Sequence, residues 1–152
     1  MLQAIRNFFE ANMTASPPGA RPGHTIELAT AALLVEVSRI DSETTPQERE
    51  VVERAIRDRF GLNADEAAEL IRLADAEVKQ ATDYFQFTSL VNRHFSAQQK
   101  QDVLELMWRI AYADAELSAH ENHLMRRIAD LLHVPHGDYI AAKMRAREAA
   151  GL

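Results

Sequence analysis

Two short stretches of this 152-residue chain collect oxygen donors at matching spacing. The first holds Asp41, Glu43, Thr45 and Glu48; the second holds Asp114, Glu116, Ser118 and Glu121. Hard divalent cations such as Ca²⁺ and Mg²⁺ take oxygen ligands of this kind, and Zn²⁺ also accepts carboxylate oxygen. The candidate metal ligands are therefore Asp41, Glu43, Glu48, Asp114, Glu116 and Glu121. Alternate-residue spacing closed by a helical glutamate resembles half of an EF-hand. The chain lacks that loop's central glycine, and its closing glutamate comes too early. A second duty competes for the same residues. Thr45 with Glu48, and Ser118 with Glu121, have the spacing of a capping box, in which side chains satisfy the first amides of a helix. Asp41 and Asp114 fall at helix ends, where a short polar side chain bonds the turn backbone. If the two stretches share one end of the fold, their carboxylates repel each other and a cation relieves the repulsion.

Other chemistry is sparse. The run His120-Glu121-Asn122-His123 spaces its histidines three apart, whereas a zinc-protease helix needs them four apart. His133 and His136 flank Val134-Pro135 at a helix end, a common structural position. There is no cysteine, which excludes thiolate metal sites, a cysteine nucleophile and a disulfide scaffold. No glycine-rich phosphate loop, G-x-S-x-G turn or paired nucleophile and base occurs, so no enzymatic activity is expected. The 17 basic and 23 acidic side chains leave a net charge of -6, which argues against nucleic acid as a partner. The excess is local: residues 41 to 83 hold 12 acidic and 6 basic side chains. The longest nearly apolar run, Leu28 to Val35, is too short to span a bilayer, and the first residues do not read as a signal peptide. A cytoplasmic protein is expected, with peripheral attachment to the inner membrane left open.

The elements that position these residues read as helices throughout. Thr25 to Ile40 is apolar on most sides and predicts a central buried helix. Pro46 suits a first helical residue, and Gly61 suits the stop of that helix. Further start signals are Asn63 with Glu66, Ser96 with Gln99 and Ser118 with Glu121. Asp83 to Phe95 predicts a shorter helix, and Gly137 to Ala149 a last one. No segment alternates with period two, so no sheet is predicted. A shift of 73 residues superposes Leu34-Val35 on Met107-Trp108, Asp41 on Asp114, Glu43 on Glu116 and Glu48 on Glu121. The expectation is an all-α single-domain bundle of about seven to eight helices, built from two pseudo-repeated helical hairpin halves.

The first segment stands apart. Residues 1–13 place Leu2, Ile5, Phe8, Phe9 and Met13 on one helical stripe, and residues 14–24 form a Pro/Gly-rich linker before the body at 25–152. Docking on the body is one expectation. The other is recruitment of a protein partner or a membrane surface through Ile5, Phe8 and Phe9, with a homodimer also open. Arg6 alone gives little support to a membrane-surface helix, which is usually basic.

Several runs together resemble the bacterial TerB-like proteins, which are related to the N-terminal region of a membrane-anchored DnaJ-type co-chaperone. They are Ala31-Ala32-Leu33-Leu34-Val35-Glu36-Val37 leading to Asp41, Phe60-Gly61-Leu62, Leu106 to Asp114, Glu121, and Leu131-Leu132-His133-Val134-Pro135-His136. The resemblance covers about residues 26 to 147. It implies an all-α bundle of two related halves with an acidic surface and no known enzymatic activity. It also implies an association with tellurite and chemical-stress responses and with metal sensing near membranes. The family's loops usually read Asp-Gly, whereas this chain has Ser42 and Ala115 after the aspartates.

Overall fold

The computed structural model describes residues 2–13, 24–40, 44–79, 85–113 and 122–152. Among them are eight helices and no strand: α1 (Leu2–Asn12), α2 (His24–Ile40), α3 (Pro46–Arg59), α4 (Ala64–Lys79), α5 (Gln86–His94), α6 (Ala97–Ala113), α7 (Asn122–Leu131) and α8 (His136–Ala149). Asp83 and Tyr84, predicted to open the fifth helix, lie outside the described residues, as does the Ser118–Glu121 cap.

The start signals work through the chemistry expected of them. Thr45 Oγ1 accepts the Glu48 amide at 3.1 Å, directly before Pro46 at the start of α3. Asn63 and Glu66 exchange both bonds of a capping box, at 2.8 and 3.1 Å, and so do Ser96 and Gln99, at 2.8 and 3.1 Å. Gly61 takes a left-handed φ of 66° just beyond α3. The end of α7 is unusual. His133 adopts a φ of 59° there. Its amide donates to Asp130 O at 3.1 Å, and the Val134 amide donates to Ala129 O at 3.0 Å. That is a Schellman stop with histidine in the place glycine usually takes.

The central helix is α2. Every residue from Leu28 to Ser38 is buried, because α3, α4, α5, α6 and α7 all pack on it. The polar hydroxyls on this helix turn inward to its own backbone: Thr30 donates to Ile26 O at 2.6 Å and Ser38 to Val35 O at 3.1 Å. The repeat-equivalent helices α2 and α6 lie against each other, and α6 pairs most extensively with α8. Lys143 of α8 stands 4.6 Å over the Trp108 ring, and Arg145 donates to Glu105 at 2.6 Å. Two of the basic residues of the last helix are thus engaged with α6. Arg39 ties α2 to Glu53 of α3 and Asp75 of α4.

The N-terminal helix shares this core. Ile5, Phe9 and Met13 are buried with the body's apolar residues, and Phe8 packs against them half-buried. The docking surface is mainly α5: Phe8 meets Phe87 edge-on at 6.2 Å, and Phe9 lies against His94 and Phe95 at 5.3 and 6.2 Å. Ile5, Phe8 and Phe9, the residues expected to meet a partner if α1 is a recruiting arm, thus rest on the chain's own body in this structure. Burying three large apolar side chains on the chain's own body outweighs leaving them in water.

Candidate functional site

Glu48 is the one predicted metal ligand among the described residues. Asp41, Glu43, Asp114, Glu116 and Glu121 lie outside them. The first turn of α3 holds Glu48 in place, since its amide is capped by Thr45 and its Oε1 accepts the Thr45 hydroxyl at 3.2 Å. The other oxygen, Oε2, is buried without a hydrogen bond. It faces His123 Nε2, on the first turn of α7, at 3.6 Å. That nitrogen is also buried without a hydrogen bond, and so is the neighbouring hydroxyl of Thr44. The first turns of α3 and α7 therefore meet in space.

Two donors on a tetrahedral metal with bonds of ~2.1 Å stand about 3.4 Å apart. The Glu48–His123 separation fits that spacing, and a carboxylate with an imidazole is a common divalent-cation set. It also fits a plain ion pair with a protonated histidine. Among the described residues no group of three His, Cys, Asp or Glu side chains is close enough to hold a metal. The sequence pointed to Glu48 and set His123 aside, because histidines three apart on one helix do not make a zinc motif. The structure pairs His123 with the other hairpin instead, a contact that no local spacing encodes.

A second cluster was not singled out from the sequence. Glu36 of α2 and Glu77 of α4 are both buried, at 0% and 1% exposure. They converge on the start of α5. Glu36 Oε2 accepts the Phe87 amide at 2.6 Å. Its Oε1 accepts the Thr88 amide at 3.0 Å and the Thr88 hydroxyl at 2.8 Å. Glu77 Oε1 accepts the Gln86 amide at 3.2 Å. The residue before α5, Phe85, has no side chain able to cap. Two carboxyl groups from other helices therefore satisfy the three leading amides of α5.

Two carboxylates cannot both be charged in such a place. Burial, the adjacent Glu36 charge and the hydrogen bond to Glu36 push the Glu77 carboxyl up to about 10. Burial pushes Glu36 up too, but the Glu77 hydrogen bond and the α5 donors oppose that rise. Both carboxyls are thus pushed toward the protonated form, Glu77 the more clearly, while the α5 amides favour charge on Glu36 at a helix N-terminus. A signal for this pair existed. Glu36 stands inside an apolar run on a helix buried all round, and Glu77 continues the Leu70–Ala74 stripe.

A cleft of about 470 Å³ lies along α4, between Arg57 and Asp75. Its floor is Ala64, Ala67, Ala68 and Ile71. Arg72 and Asp75 at its rim are engaged by Glu69 and Arg39. It offers packing rather than reactive groups. No helix among the described residues is long and apolar enough to cross a membrane.

Residues 27–144 match the family model described as tellurite resistance protein TerB. No curated protein and no solved structure matches the chain.

Proposed function

The chain belongs to the TerB family, and from that premise we propose that it is a non-enzymatic stress-response module that holds a divalent cation between its two acidic stretches. The family is in general non-catalytic, and its description supplies the link to tellurite resistance. The observation that carries the cation reading is the meeting of Glu48 and His123 across the two hairpins, each with a buried atom left without a hydrogen bond. Asp41, Glu43, Asp114, Glu116 and Glu121 would complete the set. A nitrogen ligand favours Zn²⁺ over Ca²⁺ and Mg²⁺, which prefer all-oxygen sites. The protein acts in this reading from the cytoplasm.

The test is calorimetric titration of the chelator-stripped protein with Ca²⁺, Mg²⁺, Mn²⁺ and Zn²⁺, with melting curves alongside. Saturable Zn²⁺ binding with a raised Tm follows from mass action. His123→Ala should weaken it, and Asp41→Asn with Asp114→Asn should abolish it. Flat titrations would return these side chains to capping and ion pairing.

A second reading makes α1 a recruiting arm for a protein partner or membrane surface. What favours it is that α1 rests chiefly on one helix, α5. Removing residues 1–22 would then abolish partner or vesicle binding while the body remains folded.

A further inference from the structure

The arm docks on α5, and the start of α5 is held by groups that are not its own. Phe8 packs on Phe87, the residue whose amide Glu36 receives at 2.6 Å. The same two carboxyls thus hold the first turn of α5 and the platform for α1. In that arrangement Glu77 is the bridge. It lies close enough to Glu36 for the two carboxyls to raise its affinity for a proton, while its Oε1 accepts the Gln86 amide at 3.2 Å.

Among the described residues the charged groups nearby are engaged elsewhere. On α2, Arg39 turns to Glu53 of α3 and Asp75 of α4. On α7, Arg127 lies over the Phe85 ring, 5.9 Å from its centre. On α6, Glu105 is engaged by Arg109 and Arg145. On α5 itself, Arg93 and His94 stand at the far end, with His94 against Phe9. Among the described residues none of these makes a hydrogen bond to Glu36 or Glu77.

We propose that the Glu36–Glu77 pair is a proton-dependent latch on the N-terminal arm, which frees α5's first turn and α1 together when Glu77 loses its proton to water. Opening lets Glu77 become an ordinary solvated carboxylate. It also exposes the apolar face of Ile5, Phe8 and Phe9. The closed form binds one proton more than the open form wherever the pH lies between the ordinary carboxyl range and the raised value of Glu77. The open fraction therefore rises with pH through neutrality. The latch stands apart from the cation reading. It gives the recruiting-arm reading a control, and its test uses no partner, so either can fail alone.

The chain has no cysteine, so Ala4→Cys on the half-buried side of α1 is a unique reporter. The full chain carrying it is reacted with a small thiol reagent between pH 6 and 9. Each rate is divided by that of the urea-unfolded chain at the same pH, which cancels the thiolate fraction. The normalised rate should rise by up to about ten-fold per pH unit, while Trp108 fluorescence stays native. Adding Glu77→Gln should flatten the profile, because the amide donates to Glu36 without a proton to lose. Glu36→Gln, which sets an NH2 donor against one of the two amides that the carboxylate oxygens accept, should label fast already at pH 6. Equal pH profiles with and without Glu77→Gln would overturn the latch. So would a flat profile in the reporter alone, slow labelling of Glu36→Gln at pH 6, or loss of the Trp108 signal together with arm protection.

Discussion

Replacing Glu77 by glutamine should stabilise this protein at neutral pH and make it less sensitive to pH. The magnitude follows from the buried pair. The Glu77 carboxyl titrates at about 10 in the folded chain against 4.5 for the ordinary group. A value raised by folding contributes stability that is fully present below the ordinary range and is lost as the pH climbs toward the raised value. The slope is at most about 1.4 kcal/mol per pH unit for one proton. From pH 5 to pH 7 the protein should therefore lose up to about 3 kcal/mol that the Gln variant keeps. Local opening and water entry reduce that figure, so it is a ceiling. Other carboxylates tilt the opposite way: Glu69, held low by Arg72, favours the folded state as the pH rises. The useful quantity is thus the difference between the two proteins. Urea unfolding at pH 5, 6, 7 and 8 measures it directly. The two should be nearly equal at pH 5 and diverge steadily above it, with Glu77→Gln the more stable. Parallel curves across that range would refute the reasoning, because Glu77 would then carry no extra proton in the fold.

His133→Gly should raise stability by about 1 kcal/mol, since the left-handed φ at the end of α7 strains any residue with a Cβ. Thermal melting checks this, and an unchanged or lower Tm would show that the histidine side chain offsets the strain. Phe9→Ala should lower the unfolding free energy by about 3 kcal/mol, the cost of emptying a fully buried aromatic site. A loss below about 1 kcal/mol in urea unfolding would instead mean that the arm lets go before the body unfolds.

The helices were legible because their start and stop signals are local. Pro46 after Thr45, Asn63 with Glu66, Ser96 with Gln99 and Gly61 act within one turn of chain, and the structure uses each of them. The family assignment was legible for a related reason: its marker runs are short and contiguous. His133 shows where a local reading falls short. A glycine there would have announced the left-handed stop, whereas histidine concealed it.

Sequence alone determined that this is an all-helical chain of the TerB family, with its acidic excess in residues 41 to 83. Periodicity and capping depend on neighbours three or four residues apart, so they can be read along the chain. Tertiary structure decided the pairings. Glu48 meets His123 from the other hairpin, Glu36 meets Glu77 over a helix start that belongs to neither, and the apolar stripe of α1 lies on α5. Each joins residues tens of positions apart, and each depends on burial, which only the packed assembly supplies. Burial makes one carboxyl keep its proton, leaves two facing atoms without hydrogen bonds, and lays the apolar stripe of α1 on the body.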